Sequence, residues 1–144
     1  MRLTTYTDYT LRTLMYLGVC GEARVTIEDI ATAYGISRNH LTKIVHELGR
    51  DGYLETSRGR GGGIRLARPA AEINIGEVVR RCERQTALVE CFGSGNRCCI
   101  TSVCMLRSAL AEAQESFMLV LDGYTLADLV RPRRALACSL GVPA

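Results

Sequence analysis

The chain has 144 residues, 47% of them hydrophobic, and a formal net charge of +3. That supports one core of ordinary domain size, and no apolar run approaches the ~18 residues that span a bilayer. The N-terminal stretch MRLTTYTDYTLRTL has neither the continuous apolar segment nor the small-residue cleavage site of a secretion signal, so a cytoplasmic, uncleaved protein is expected.

Charge is unevenly placed. Between Tyr34 and Arg68 seven Lys/Arg stand against three Asp/Glu, whereas the stretch from Ala71 onward is balanced at eight against eight. A locally basic segment is what a phosphate backbone requires. The seven cysteines are odd in number and follow no secretion signal, which argues against a disulfide framework.

In chain order, Thr7 or Asp8 is placed to cap a first helix that runs to about Cys20. Leu11, Leu14, Met15 and Gly18 form its inward stripe, and Gly21 ends it. Thr26 and Asp29 make a T-x-x-D capping box for a short helix with Ile27, Ile30 and Ala31 on its apolar side, closed by Gly35. Ser37 caps the next helix. Its stripe is Leu41, Ile44, Val45 and Leu48, and Gly52 stops it. Two short helices joined by a Gly-containing turn, the second polar on its outer face, read as a helix-turn-helix. Tyr53 to Ser57 and Ile64 to Ala67 read as strands around the glycine-rich tip at residues 58–63, which completes a winged-helix order. The fold class expected is mainly α with a small β-hairpin wing.

Beyond Pro69 the character changes. Ile75 to Glu83 fits a short helix, and residues 84–101 read as a loop. From Ser102 to Gly123 a long helix is expected. Its seam of Val103, Leu106, Leu110, Ala113, Phe117 and Val120 alternates spacings of three and four and suits pairing with a second copy. Thr125 caps a last short helix, TLADLV, and a loose tail follows Pro132. The division expected is a DNA-reading unit at 1–69, a connecting helix and ligand loop at 70–101, a dimerisation helix with its short follower at 102–130, and a tail at 131–144.

A recognition helix presents its N-terminal residues to base edges. Arg38, Asn39 and His40 are therefore the candidates for base contact and Lys43 for phosphate. Arg suits guanine and Asn suits adenine. Arg60, between the wing-tip glycines, suits a narrow minor groove. No nucleophile–base pair, phosphate loop or cofactor fingerprint is evident. GRGGGI reads better as a wing tip than as a dinucleotide turn, so an enzyme is not expected.

The segment ECFGSGNRCCITSVC holds Cys91, Cys98 and Cys104, with Cys99 beside Cys98. Cys20 and Cys82 fall in helical patterns and read as small buried hydrophobes, and Cys138 reads as a free thiol in the tail. The Cys-x6-Cys-x5-Cys spacing matches neither a zinc ribbon nor a ferredoxin run. Three thiolates leave a tetrahedral site one ligand short, and both histidines, His40 and His46, lie on the helix expected to face DNA. Spacing alone leaves zinc, an iron–sulfur cluster and a thiol switch open.

Three fragments settle a resemblance: LTTYTDYTLRTLMYL, ISRNHLTKIVHELGRDGYLETSRGRGGGIRLA and CCITSVCMLRSALAEAQESFMLVLDGYTLADL. With them, in this order, residues 3–130 resemble the NsrR-type nitric-oxide-sensing repressors, of the winged-helix superfamily that also contains the IscR-type regulators. The resemblance implies a homodimer on an inverted-repeat operator, with an iron–sulfur cluster, usually 4Fe–4S and alternatively 2Fe–2S. It implies Cys91, Cys98 and Cys104 as ligands, Cys98 being preferred to Cys99 by the positions of Ile100 and Cys104 after it. It implies Asp8 as fourth ligand, given by the partner subunit. The IscR-type alternative, a His shortly after the last cysteine, is closed because Arg107 stands there. The alternatives in function are a related regulator of iron–sulfur status or redox stress, and a zinc-stabilised winged-helix interaction module.

Overall fold

The computed structural model describes residues 2–83 and 87–143. Residues 84–86, the start of the expected loop, lie outside the described residues. The first helix, α1, spans Thr5–Cys20. Its N-cap is Thr4, whose hydroxyl accepts the Thr7 N–H at 3.2 Å, rather than Thr7 or Asp8 as expected. Asp8 instead lies in the first turn, paired with Arg12 at 3.0 Å. Besides Leu14 and Leu17, α1 buries Thr7, Thr10 and Thr13, because helices close around it on several sides. Burying a hydroxyl there is costly unless it finds a partner. Thr13 donates to the Tyr9 carbonyl at 2.8 Å.

Two helices follow, α2 at Ile27–Tyr34 and α3 at Arg38–Arg50. The Thr26/Asp29 capping box starts α2, and Gly35, left-handed at φ 65°, turns the chain into α3. Leu41, Ile44, Val45 and Leu48 are buried, as their spacing predicts, beside Leu14, Ile30 and Tyr53. The wing pairs β1, Leu54–Ser57, with β2, Gly63–Leu66, in antiparallel register from Leu54 opposite Leu66 to Ser57 opposite Gly63. Val25 adds a bridge to Ile64, with N···O distances of 2.8 and 3.0 Å, that seats the wing on the helices. β1 begins one residue later than expected, because the Tyr53 amide bonds back to Leu48 instead of joining the ladder, and β2 keeps its expected length but lies one residue earlier.

Beyond the wing, α4 spans Ile75–Cys82 and α5 spans Met105–Asp122. The long helix begins at Met105 rather than Ser102, because Cys104 takes the N-cap position after a short 3-10 turn. It packs along α4, and no residue of it is fully buried. The expected seam is split: Leu110 and Phe117 are half-buried, whereas Val103 is 79% exposed, Leu106 65% and Val120 62%. Thr125 caps α6, Leu126–Leu129, through a box with Asp128.

The expected loose tail contains a helix, α7, Arg133–Leu140. Ala137 is buried in it, and Arg133 donates to the Val19 carbonyl at 2.9 Å, docking α7 on the C-terminal part of α1. No described helix is long and apolar enough to cross a membrane.

Candidate nucleic-acid interface and metal centre

The reading face is built by α3. The Ser37 hydroxyl accepts the His40 N–H at 3.4 Å and so fixes the first turn. With the aliphatic stripe turned inward, Arg38, Asn39 and His40 are exposed together, and Lys43 follows one turn later. Arg38 pairs with Glu28 of α2 at 3.1 Å, both side chains well exposed, an interaction that solvent screens strongly. The His40 ring meets Tyr9 of α1, with centroids 5.9 Å apart.

Arg60 sits exposed at the wing tip between Gly59 and Gly61, whose φ values of 91° and 77° require glycine. The base of the wing is held by charge. Glu55 accepts from Arg65 and Arg24, and Arg65 reaches Glu22 at 3.1 Å. The Arg65 hydrogen bond, with Arg24 adding to it, holds the Glu55 carboxyl below its usual range. Arg38, Asn39, His40, Lys43 and Arg60 thus all stand exposed on the helix and the wing tip.

The cysteine loop has an internal scaffold. Cys91 lies in a 3-10 turn at Glu90–Phe92, half-buried. The Glu90 carboxylate accepts the Arg97 N–H at 3.0 Å, and the Asn96 side chain accepts the Cys98 N–H at 2.9 Å. Asn96 also donates to the Thr101 hydroxyl, which donates to the Cys98 carbonyl at 2.7 Å. Cys98 and Cys99 are exposed. The Cys104 sulfur accepts the Arg107 N–H at 3.4 Å as the cap of α5. The Arg107 guanidinium lies 5.7 Å above the Phe92 ring and so links the two ends of the loop.

All seven cysteines are free. Burial pushes the Cys20 and Cys82 thiols up, as expected for packing residues that stay protonated. Cys138 is exposed on α7. In kind, four unpaired thiols within one short segment fit a thiophilic iron–sulfur group. They are not gathered, however: among the described residues no three His, Cys, Asp or Glu side chains stand together as a metal site. Asp8, half-exposed on α1 and paired with Arg12, belongs to no such group among the described residues.

Three features escaped the sequence. One oxygen of the Glu83 carboxylate, at the C-cap of α4, accepts from the Thr4 N–H and hydroxyl, each at 2.8 Å, and from the Thr7 hydroxyl. Arg81 binds Asp51, the C-cap residue of α3. The Tyr9–His40 contact joins α1 to the reading helix. The repeated threonines of TTYT were a weak sign of the first; nothing in the sequence signalled the other two.

The Rrf2 family model, described as an iron-dependent transcriptional regulator, matches residues 3–132. The HTH-type transcriptional regulator NsrR of Geobacillus kaustophilus is 58% identical over 138 residues, covering 94% of each chain. The HTH-type transcriptional regulator NsrR of Bacillus subtilis is 50% identical over 133 residues, covering 91% of each. Among solved structures, IscR of T. potens superposes with a TM-score of 0.73 at 26% identity, covering 92% of this chain and 88% of that one. The oxidized form of Staphylococcus aureus CymR gives 0.72 at 25% identity, covering 91% and 97%. A helix-turn-helix with a wing, a family match over nearly the whole chain and relatives at this level of identity make one conclusion: the chain belongs to the Rrf2 family of winged-helix transcriptional regulators and is not an enzyme.

Proposed function

We propose that the chain is a cytoplasmic homodimeric repressor that holds an inverted-repeat operator and releases it in response to nitric oxide, sensed through an iron–sulfur cluster of the 4Fe–4S type. Cys91, Cys98 and Cys104 hold the cluster, with Asp8 of the partner subunit as fourth ligand. The observation that carries this reading is a loop of four free thiols that runs into the cap of a helix with Met105, Leu106, Leu119 and Val120 left exposed. The likeness to regulators named NsrR supports it.

When bound, the cluster supplies iron sites that react with nitric oxide. The protein supplies the rest. Residues 1–69 read DNA: Arg38, Asn39 and His40 meet base edges, Lys43 a phosphate, and Arg60 the minor groove. Residues 70–101 carry the connecting helix and the ligand loop. The exposed side of α5, within 102–130, pairs the subunits and sets the half-site spacing. Asp8 leaves Arg12 to serve its partner's loop. A carboxylate is a harder donor than a thiolate and the weaker ligand to iron in a sulfide environment. Release of Asp8 frees the first turn of α1 and shifts one reading head against the other.

Anaerobically purified protein is expected to be brown and to lose operator binding on titration with nitric oxide. A colourless protein with stoichiometric zinc overturns the cluster. A brown protein that keeps its operator under nitric oxide, yet releases it when iron is removed, is a regulator of iron–sulfur status instead.

A further inference from the structure

We propose that the last turn of α4 couples the cysteine loop to the reading head of the same subunit, Glu83 gripping the start of α1 and Arg81 the end of α3. This rests on the cluster-sensing reading above and adds a route within one subunit to the Asp8 route between subunits.

Glu83 lies eight positions before Cys91, on the stem of the loop. Its carboxylate receives the Thr4 amide, the Thr4 hydroxyl and the buried Thr7 hydroxyl. A carboxylate at a helix N-terminus meets unpaired N–H groups and the positive end of the dipole. Because Thr7 is shut away from water, a Glu83 that moves off leaves its hydroxyl the neutral Thr4 hydroxyl, at 2.9 Å, in place of a charged acceptor. Two residues before Glu83, Arg81 holds Asp51, whose side chain is only 15% exposed. The next turn along α1 carries Tyr9, in contact with His40 near the start of α3. Both ends of the reading helix are thereby tied to the stem, one through α1 and one directly. A change in the loop that rotates the stem strains the two ties together, so the reading helix moves as a body instead of fraying at one end.

The test is the ratio of operator Kd between cluster-free and cluster-loaded protein, with iron content and thermal unfolding measured alongside. In Glu83→Ala the ratio is expected to fall about fivefold or more, within the range of ordinary allosteric coupling, while iron content holds. Glu83→Gln, which keeps the size and an accepting oxygen, is expected to restore most of it. Thr7→Val removes the buried donor to Glu83 and is expected to lower the ratio as Glu83→Ala does, with the double variant no lower than Glu83→Ala alone. A purely structural role would lower the melting temperature of each variant and leave the ratio at its wild-type value, which overturns the coupling. Wild-type protein that takes up no iron overturns the cluster reading and this one with it. Iron-loaded wild type with a large ratio that Glu83→Ala retains overturns this one alone.

Discussion

The Tyr9 ring lies against the His40 imidazole, their centroids 5.9 Å apart and their planes at 48°. Tyr9 is the residue after Asp8, and His40 sits in the first turn of the reading helix. The helix that offers the expected fourth ligand therefore touches the turn expected to read bases. Tyr9→Ala removes a ring contact of roughly 0.5–1.5 kcal/mol. It is expected to weaken operator binding about threefold to tenfold without changing its salt dependence. Lys43→Ala is expected instead to lower the slope of log K against log salt by about one. Fluorescence anisotropy with labelled operator across a salt series distinguishes the two.

Cys98 and Cys99 are adjacent and both exposed, so accessibility does not choose between them. The scaffold does distinguish them: the Cys98 N–H and carbonyl are both engaged, by Asn96 and by Thr101. A ligand on a fixed backbone loses less freedom when it binds. Cys98→Ser is expected to abolish retained iron and Cys99→Ser to leave it near the wild-type level, read by iron analysis and visible absorbance after anaerobic purification. Equal retention in the two variants would make Cys99 a substitute ligand.

Gly76, in the first turn of α4, allows the end of α5 to approach. A Cβ there would lie 1.9 Å from the Asp122 carboxylate and 2.9 Å from the Asp122 amide nitrogen. The carboxylate is the partner of Arg80, whose hydrogen bonds hold it below the usual carboxylate range. Gly76→Ala forces both helices apart and is expected to cost about 2 kcal/mol, as overpacking does. That lowers Tm by roughly 6 °C for a chain of this size. Gly95, with nothing within 4 Å of its Cβ position, is the control; Gly95→Ala is expected to leave Tm unchanged. Differential scanning calorimetry measures both.

The reading head was legible because its signals are local. Ser37 stands at its cap, and Leu41, Ile44, Val45 and Leu48 repeat at helical spacing within one element. The start of α1 was not, because Thr4, Thr7 and Asp8 all qualify as caps. The partner that decides among them is Glu83, 79 positions from Thr4. The tail misled for a related reason: α7 has a modest apolar side and gains its place by docking on α1 through Arg133 and Ala137. The identity of the loop ligands came from the resemblance rather than from spacing. Among the described residues the thiols are not gathered into a metal site; in the proposed reading the bound group and a second subunit set that geometry.

The long helix makes the sharpest demand for a second chain. Val103 in the turn before α5, and Leu106 and Val120 on it, expose most of their surface, while Phe117, Met118 and Leu121 turn toward their own subunit. Apolar side chains left this open favour pairing, each worth roughly 1.5–3 kcal/mol when fully covered. A charge buried within such a seam must be desolvated without a partner. Leu106→Glu is therefore expected to convert the proposed dimer to a monomer at micromolar concentration, measured by sedimentation equilibrium, with helical content kept. Phe117→Glu instead attacks the subunit's own packing of α5 on α4 and is expected to lower Tm in the monomer as well. A Leu106→Glu protein that remains dimeric places the interface on another face of α5.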